Sequence, residues 1–174
     1  SLIPAYAYLR NSNSQGIADI RFFFGNPSDI PLAGDFNGDG CDTLSIYRPS
    51  EARFYIINKL GENEGGLGAA EYSFLFGNPG DKPVVGDWDG DGDDTIGIWR
   101  NDSSFRLRNS NTSGFADIIA FFGLSTDIPL VGDWNGDGTD VNGWPTATEH
   151  VVPSSPAVGD VDNDGILEVV VGSW

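Results

Sequence analysis

Histidine and cysteine are scarce in this chain of 174 residues. His150 is the only histidine, so neither a Ser-His-Asp triad nor a zinc site built on several histidines can form within one chain. Cys41 is the only cysteine, which excludes a framework of internal disulfides. We therefore expect no enzymatic centre, and a surface or loop role for His150.

Long apolar runs and basic residues are also lacking. No stretch approaches the roughly 18 apolar residues of a membrane span, and no useful length of sequence has helical periodicity. Only 9 Lys and Arg oppose 26 Asp and Glu, which gives a net charge of −17. This argues against a nucleic-acid partner, because phosphate backbones attract basic surfaces. The length suits a single domain over 1–174 with a substantial core.

The acidic residues are concentrated in four short segments, 35–42, 87–94, 133–140 and 160–168, which hold 15 of the 26. Oxygen-bearing side chains recur at positions 1, 3 and 5 of each segment, and position 6 is glycine. Calcium takes six to eight oxygen ligands, usually including a backbone carbonyl, and glycine permits the positive φ that curls a loop around an ion. Four bound Ca²⁺ would bring the net charge to about −9. We therefore predict four calcium loops with about one ion each.

Plain turns and EF-hands account for these segments less well. Asp, Asn and Gly are common turn formers without any ion, but four copies in register favour a metal. An EF-hand requires a bidentate acid at position 12 and flanking helices. Position 12 is apolar in all four segments, and the β-branched and aromatic flanks are typical of strands; these position-12 residues are Ile46, Ile98, Trp144 and Val171.

The segments belong to an internal repeat. Residues 10–42 align without gaps on 108–140, with 22 of 33 positions identical. Each copy contains short strand candidates separated by turn residues at 26–29, 78–81 and 124–127. Among them are 43–48, 95–100, 105–108, 118–122 and 129–133. Four antiparallel strands in about 46 residues match one β-propeller blade, so we predict an all-β fold.

The repeat resembles the FG-GAP and VCBS-type families. Phe-Gly pairs at 24–25, 76–77 and 122–123 are each followed by Pro-x-x-Gly-Asp and by the acidic loop. The resemblance implies calcium-binding β-propeller blades like those of integrin α subunits. It also implies ligands from the side chains at positions 1, 3 and 5, the carbonyl at position 7 and a closing acid. These candidates are Asp35, Asn37, Asp39, Cys41 and Asp42; Asp87, Asp89, Asp91, Asp93 and Asp94; Asp133, Asn135, Asp137, Thr139 and Asp140; and Asp160, Asp162, Asp164, Ile166 and Glu168.

Two departures from the family pattern affect these expectations. The family's closing acid stands at position 9, which only Glu168 satisfies, so the closing ligand of the other three loops stays open. After Asp140 the expected strand is replaced by Val-Asn-Gly-Trp-Pro. We predict blades at about 4–50, 53–101 and 104–145 and a half blade at 149–174. Three and a half blades cannot close a ring, so we expect completion by another copy or by missing sequence.

Several functions fit such a chain. The first is a noncatalytic, secreted or cell-surface module for adhesion, ligand binding or assembly, with a protein or glycan as ligand. The alternatives are a structural subunit of an extracellular filament or sheath, and an accessory propeller of a secreted enzyme whose catalytic domain lies elsewhere. Millimolar calcium outside cells suits weak, exposed loops. We expect Trp88 and Trp134 to pack between blades, and Arg48 and Arg100 to pair with local carboxylates.

Overall fold

The computed structural model describes residues 5–59, 68–132, 157–159 and 168–170, and over these ranges the protein is all-β. Within them there is no helix, and hence none long and apolar enough to cross a membrane. The strands are short, as expected of segments punctuated by Gly, Pro and Asp. They are β1 Tyr6–Leu9, β2 Ile20–Phe23, β3 Ile30–Gly34, β4 Thr43–Arg48, β5 Arg53–Ile56, β6 Tyr72–Leu75, β7 Lys82–Gly86, β8 Thr95–Trp99, β9 Ser104–Leu107, β10 Ile118–Phe121, β11 Ala157–Gly159 and β12 Glu168–Val170.

These strands form antiparallel sheets in which neighbours along the chain pair with each other. Strands β3 to β6 form one four-stranded meander and β7 to β10 form a second, while β1 pairs with β2 and β11 with β12. The predicted blade boundaries are out of phase with these sheets. The boundary expected between residues 50 and 53 falls inside the first meander, because a four-residue turn joins β4 to β5 as a hairpin. Each meander therefore begins just before an acidic loop.

One predicted strand does not form. Residues 129–132 have no strand pairing in the structure, although the equivalent segments β3 and β7 each open a meander. In those two copies the partner is the strand that follows the acidic loop and begins with threonine, and the third copy has Val-Asn-Gly-Trp-Pro at that place. The sequence that supplies the ladder partner in the first two copies therefore differs in the third, where it lies outside the described residues.

Apolar side chains from successive sheets meet face to face. Phe54, Phe74 and Tyr47 of the first meander form one core with Ile96 and Ile98 of the second. On the other face of the second meander, Trp99, Phe105 and Leu107 pack with Trp88, and on the other face of the first, Phe22 and Ile57 join β1–β2 to it. β8 is buried along its whole length because its two sides belong to different cores. The sheets are thus stacked.

A partly buried arginine–aspartate pair fixes the end of each meander opposite the acidic loop. In the first, Arg48 Nε and Nη2 donate to the two carboxylate oxygens of Asp29 at 2.9 Å each. In the second, Arg100 donates in the same way to Asp81 at 2.9 and 2.7 Å. These contacts confirm the expectation of local carboxylate partners. The fork geometry of guanidinium suits a carboxylate that accepts two parallel hydrogen bonds.

The Phe-Gly pair before each turn has a structural role in the same place. The carboxylate of Asp29 also accepts the backbone N–H of Asn26 at 2.8 Å, and Asp81 accepts that of Asn78 at 2.7 Å. Gly25 precedes the first turn with a φ of 77°, and a Cβ there would lie 3.0 Å from the Asp29 carboxylate. Glycine is therefore required both by the positive φ and by the approach of the acid.

Burial and neighbouring charges shift the pKa values of Asp29 and Tyr47 near these ion pairs. Burial raises the pKa of Asp29. The hydrogen bonds from Arg48 and Asn26 lower it by a larger amount, so the pKa of Asp29 lies below its ordinary value. Burial, together with the charge of Asp81 and partly opposed by Arg100, raises the pKa of Tyr47 to about 12. Tyr47 thus lies in the first meander beside the ion pair of the second, which agrees with the stacking of the sheets.

Replacing Arg48 by methionine should lower the free energy of unfolding by about 3 kcal/mol, because the Asp29 carboxylate, whose side chain is only 2 % exposed, loses its partner. Urea denaturation at neutral pH measures this. Arg53→Met is the matched control, since its contact with the exposed Glu51 is 3.5 Å long and should contribute less than about 1 kcal/mol. The Arg48–Asp29 pair contributes fully above the unfolded carboxyl pKa of about 3.9 and is lost as the pH falls through the lower folded pKa. Equal losses in the two variants at neutral pH would contradict this role.

Candidate metal-binding loops

The two described acidic loops lie at equivalent places in the two meanders. Residues 35–42 connect β3 to β4, and 87–94 connect β7 to β8. At the neck of each loop a glycine pairs with a threonine, Gly34 with Thr43 and Gly86 with Thr95. The antiparallel ladder therefore brings the two ends of each loop together.

In the first loop the backbone turns around the carboxylate at position 1. Asp35 Oδ1 accepts the N–H of Asp39 at 3.1 Å, and Oδ2 accepts that of Gly40 at 2.7 Å. Burial raises the pKa of Asp35, and the backbone N–H groups of Gly40, Asp39 and Asn37 lower it, with a net downward direction. Asn37 Nδ2 also donates to Asp39 Oδ2 at 3.1 Å, so the residues at positions 1, 3 and 5 lie close together.

The second loop repeats this arrangement with three carboxylates. Asp87 Oδ1 accepts the N–H of Gly90 at 2.7 Å and Oδ2 accepts that of Gly92 at 3.0 Å. One oxygen each of Asp87, Asp89 and Asp91 lies within 4.8 Å of the others. Asp87 is buried and the other two are exposed. Hard oxygen atoms converging in this way form a donor set that suits a divalent cation such as calcium.

Burial and repulsion between the acids both raise pKa values in the second loop. Burial and the charges of Asp91 and Asp87 raise the pKa of Asp89. Burial and the charges of Asp91, Asp35 and Asp87 raise the pKa of Asp93. A divalent cation among these oxygens would remove the repulsion, and the contribution of Asp35 to Asp93 shows that the two loops lie near each other.

Position 9 is threonine in both described loops, and its hydroxyl group is used in a hydrogen bond to the backbone. Thr43 Oγ1 donates to the carbonyl oxygen of Ile57 at 2.8 Å and Thr95 Oγ1 to that of Gly86 at 3.4 Å, and both threonines are buried. The residue at position 9 thus closes the neck of each described loop. A buried hydroxyl needs such a partner, because leaving it unpaired would cost free energy.

Position 8 differs between the two loops. Asp42 is exposed, whereas Asp94 Oδ2 accepts the backbone N–H of Asp35 at 2.8 Å. At position 7, Cys41 is exposed as a free thiol and Asp93 lies beside Gly38 of the first loop. The pattern of residue types does not indicate the contact of Asp94 with Asp35, because it joins residues 59 apart through a backbone group.

The remaining candidates lie outside the described residues. Neither the segment 133–140 nor Asp160, Asp162, Asp164 and Ile166 is described, and of Glu168 only the backbone position at the start of β12 is known. β11 and β12 pair on either side of the fourth segment, as β3 and β4 do around the first. Trp88 at position 2 is only 4 % exposed, and its Nε1 donates to the Ile96 carbonyl. It packs with Trp99, Phe105 and Leu107 of its own meander, so its burial is confirmed, whereas packing between blades stays a prediction; Trp134 lies outside the described residues.

Comparison of the chain with protein-family models, with curated proteins and with solved structures gave no significant match.

Glycine at position 4 should be less replaceable in the first loop than glycine at position 6. Gly38 and Gly40 both have positive φ, 66° and 82°, but a Cβ on Gly38 would lie 2.1 Å from Asp93 Oδ1 whereas one on Gly40 meets nothing within 4 Å. Gly40→Ala should lower the free energy of unfolding by about 1 kcal/mol through backbone strain. Gly38→Ala should lower it further, because Asp93 must also move. Urea denaturation in EGTA compares the two, and a smaller loss for Gly38→Ala would contradict this arrangement.

Proposed function

We propose that this protein is a noncatalytic, calcium-binding repeat module of the FG-GAP and VCBS type, built as blades of a β-propeller. The observation that carries the proposal is the convergence of the Asp87, Asp89 and Asp91 oxygens within 4.8 Å of one another. The first loop supports the proposal as well, because its backbone turns around Asp35 in the same way. A cluster of exposed acids is common without an ion, but the same loop conformation twice at the same place in two sheets is not.

The ion would act as a structural element. The side chains at positions 1, 3 and 5 would bind it, and the carbonyl of position 7 would add a further oxygen, as the family resemblance implies. Within each loop, the position-1 carboxylate orients the backbone by accepting two or more N–H groups. The bound cation supplies the positive charge that the loop lacks, and so ties the two strands on either side of it together.

The stacked meanders support the propeller. Successive blades of a propeller are four-stranded antiparallel sheets that pack face to face. Both meanders of this chain have that size and strand order, and their shared core contains side chains from each. The internal repeat predicts that further blades continue the same stacking.

An extracellular or cell-surface location is part of the proposal and is supported by the kind of loop. The described loops are largely exposed, and exposed loops of this size hold calcium weakly, in a range that suits millimolar concentrations outside cells. Adhesion or ligand binding through a protein or glycan is the role we favour. A structural subunit of an extracellular filament or sheath, and an accessory domain of a secreted enzyme, are the alternatives.

Calcium should raise the thermal stability of the protein, because binding to the folded state stabilises it by mass action. Differential scanning fluorimetry in millimolar calcium and in excess EGTA should give a higher midpoint with calcium. Magnesium at the same concentration should give a smaller shift, since it demands a tighter octahedral shell. An unchanged midpoint in calcium would refute the proposed function.

Asp91→Ala should remove one calcium ion from the total bound and leave the other loops able to bind. Isothermal titration of the decalcified protein measures the stoichiometry. Glu71→Ala is the matched control, because it removes one exposed carboxylate outside the loops and should leave the stoichiometry unchanged. Equal stoichiometry in Asp91→Ala and the wild type would contradict the assignment of this loop.

We also propose that the stack continues onto another copy of the chain. The face of β1–β2 turned away from the first meander carries Tyr6, Tyr8 and Phe23, and Tyr8 is 63 % exposed. Tyr6 lies edge-on to Phe23 with ring centroids 6.0 Å apart, and Arg21 lies 4.4 Å from the Tyr6 ring. Aromatic residues with an adjacent arginine are enriched in protein interfaces.

Light scattering in calcium buffer at micromolar concentration should therefore give a mass above the 18.6 kDa of one chain. Tyr8→Arg should shift the distribution towards the monomer, because a second charge beside Arg21 would oppose burial of this face. Ser28→Arg, at an exposed turn outside β1 and β2, is the control for a general effect of added charge. A sharp monomer mass for the wild type would refute self-association without affecting the calcium proposal.

A further inference from the structure

The two described loops are joined to each other through Asp94. Its backbone N–H donates to the carbonyl oxygen of Asp35 at 2.7 Å, and its carboxylate Oδ2 accepts the backbone N–H of Asp35 at 2.8 Å. Asp35 opens the first loop at position 1, and Asp94 ends the second loop at position 8. One residue of the second meander thus engages both backbone groups of the residue that organises the first loop.

The surroundings of Asp94 fix this contact, which we call the latch. Asn111 Nδ2 donates to the Asp94 carbonyl oxygen at 2.9 Å, so the backbone of Asp94 is held on two sides. A Cβ on Gly34 would lie 2.8 Å from Asp94 Oδ2. Glycine immediately before Asp35 therefore provides the space that the Asp94 carboxylate occupies, and a larger residue there would push the latch open.

We propose that Asp94 is a positioning residue that couples calcium binding between neighbouring loops, and not a ligand of the ion in its own loop. This inference rests on the proposed calcium function. An ion in the second loop orders the backbone up to position 8, which holds the latch closed. The closed latch fixes the N–H and C=O of Asp35, whose carboxylate turns the first loop. Calcium in one loop therefore preorganises the other.

The coupling must be reciprocal. If an ion in the second loop strengthens binding in the first, then an ion in the first strengthens binding in the second by the same factor. Coupling between sites typically amounts to about 5-fold or more in affinity. The coupling should be positive. Binding of the first ion orders both loops, so binding of the second ion no longer has to offset that loss of conformational entropy.

Each loop offers its own reporter for a test. The N–H of Gly40 donates to Asp35 Oδ2 and that of Gly92 to Asp87 Oδ2, so their amide resonances follow the first and second loops separately during a calcium titration by NMR. Asp39→Ala should disable the first loop and weaken calcium binding by the second about 5-fold. Asp91→Ala should weaken the first loop by a similar factor. Both cross-effects should shrink when Asp94→Ala is added, because this change removes the carboxylate that accepts the Asp35 N–H.

The decisive comparison is Asp94→Ala in the Asp39→Ala background. If Asp94 is a latch, the affinity of the second loop, read at Gly92, should not change there, since no partner loop is left to couple. If Asp94 binds the ion of its own loop, the affinity falls, and the inference is overturned. A wild-type chain with no calcium response at Gly40 or Gly92 would instead refute the calcium function itself.

A second measurement tests the latch without any metal. In EGTA, Asp94→Ala should lower the urea midpoint of unfolding, because it removes the acceptor of the Asp35 backbone N–H, a contact between protein atoms alone. Asp42→Ala is the matched control at the same position of the first loop, where the side chain is exposed, and it should leave the midpoint in EGTA unchanged. Equal midpoints for the two variants would overturn the latch.

Discussion

The hydrogen bonding of the position-1 carboxylate in the two described acidic loops is the interaction on which the rest of the structure depends. Asp35 and Asp87 accept backbone N–H groups from residues three to five positions further on. That forces the chain to reverse tightly and return as the second strand of a meander. The reversal in turn places the side chains of positions 3 and 5 beside position 1. Strand pairing and the acidic cluster are therefore consequences of one local arrangement.

The opposite end of each meander is held by a different kind of contact. The Arg48–Asp29 and Arg100–Asp81 pairs are partly shielded from water and need no ion. The fold thus has one end fixed by internal charge pairing and one end where like charges accumulate. Removal of the proposed cation would destabilise the acidic end of each meander first. The arginine pairs and the apolar cores between sheets would continue to hold the strands together.

Much of this could be predicted from the sequence, and the failures have physical reasons. Alternating apolar residues and turn signals predicted β4 with its bounds and β8 to within one residue. These strands were predictable because the apolar residues that become buried recur within the strand's own sequence. The predicted grouping of strands into sheets was wrong. A sequence repeat shows how often a sheet recurs along the chain, but not at which turn one sheet ends and the next begins. The latch at Asp94 was missed because Asp35 takes part in it through its backbone, whose hydrogen bonds leave no mark on residue type. The role of Thr43 and Thr95 at the loop neck was missed for a similar reason, since threonine also fits a strand.

Pairing only between sequence neighbours has a consequence for how such a protein can grow. The first two acidic loops begin 52 residues apart, and one such length of chain supplies a complete set of four strands that pair among themselves. Duplicating that length within a gene would add one sheet to the stack without altering any existing ladder. Each new sheet would contact only its immediate neighbours, as in repeat proteins whose stability is a sum of local terms. The 22 identities between residues 10–42 and 108–140 are the trace expected of such duplication.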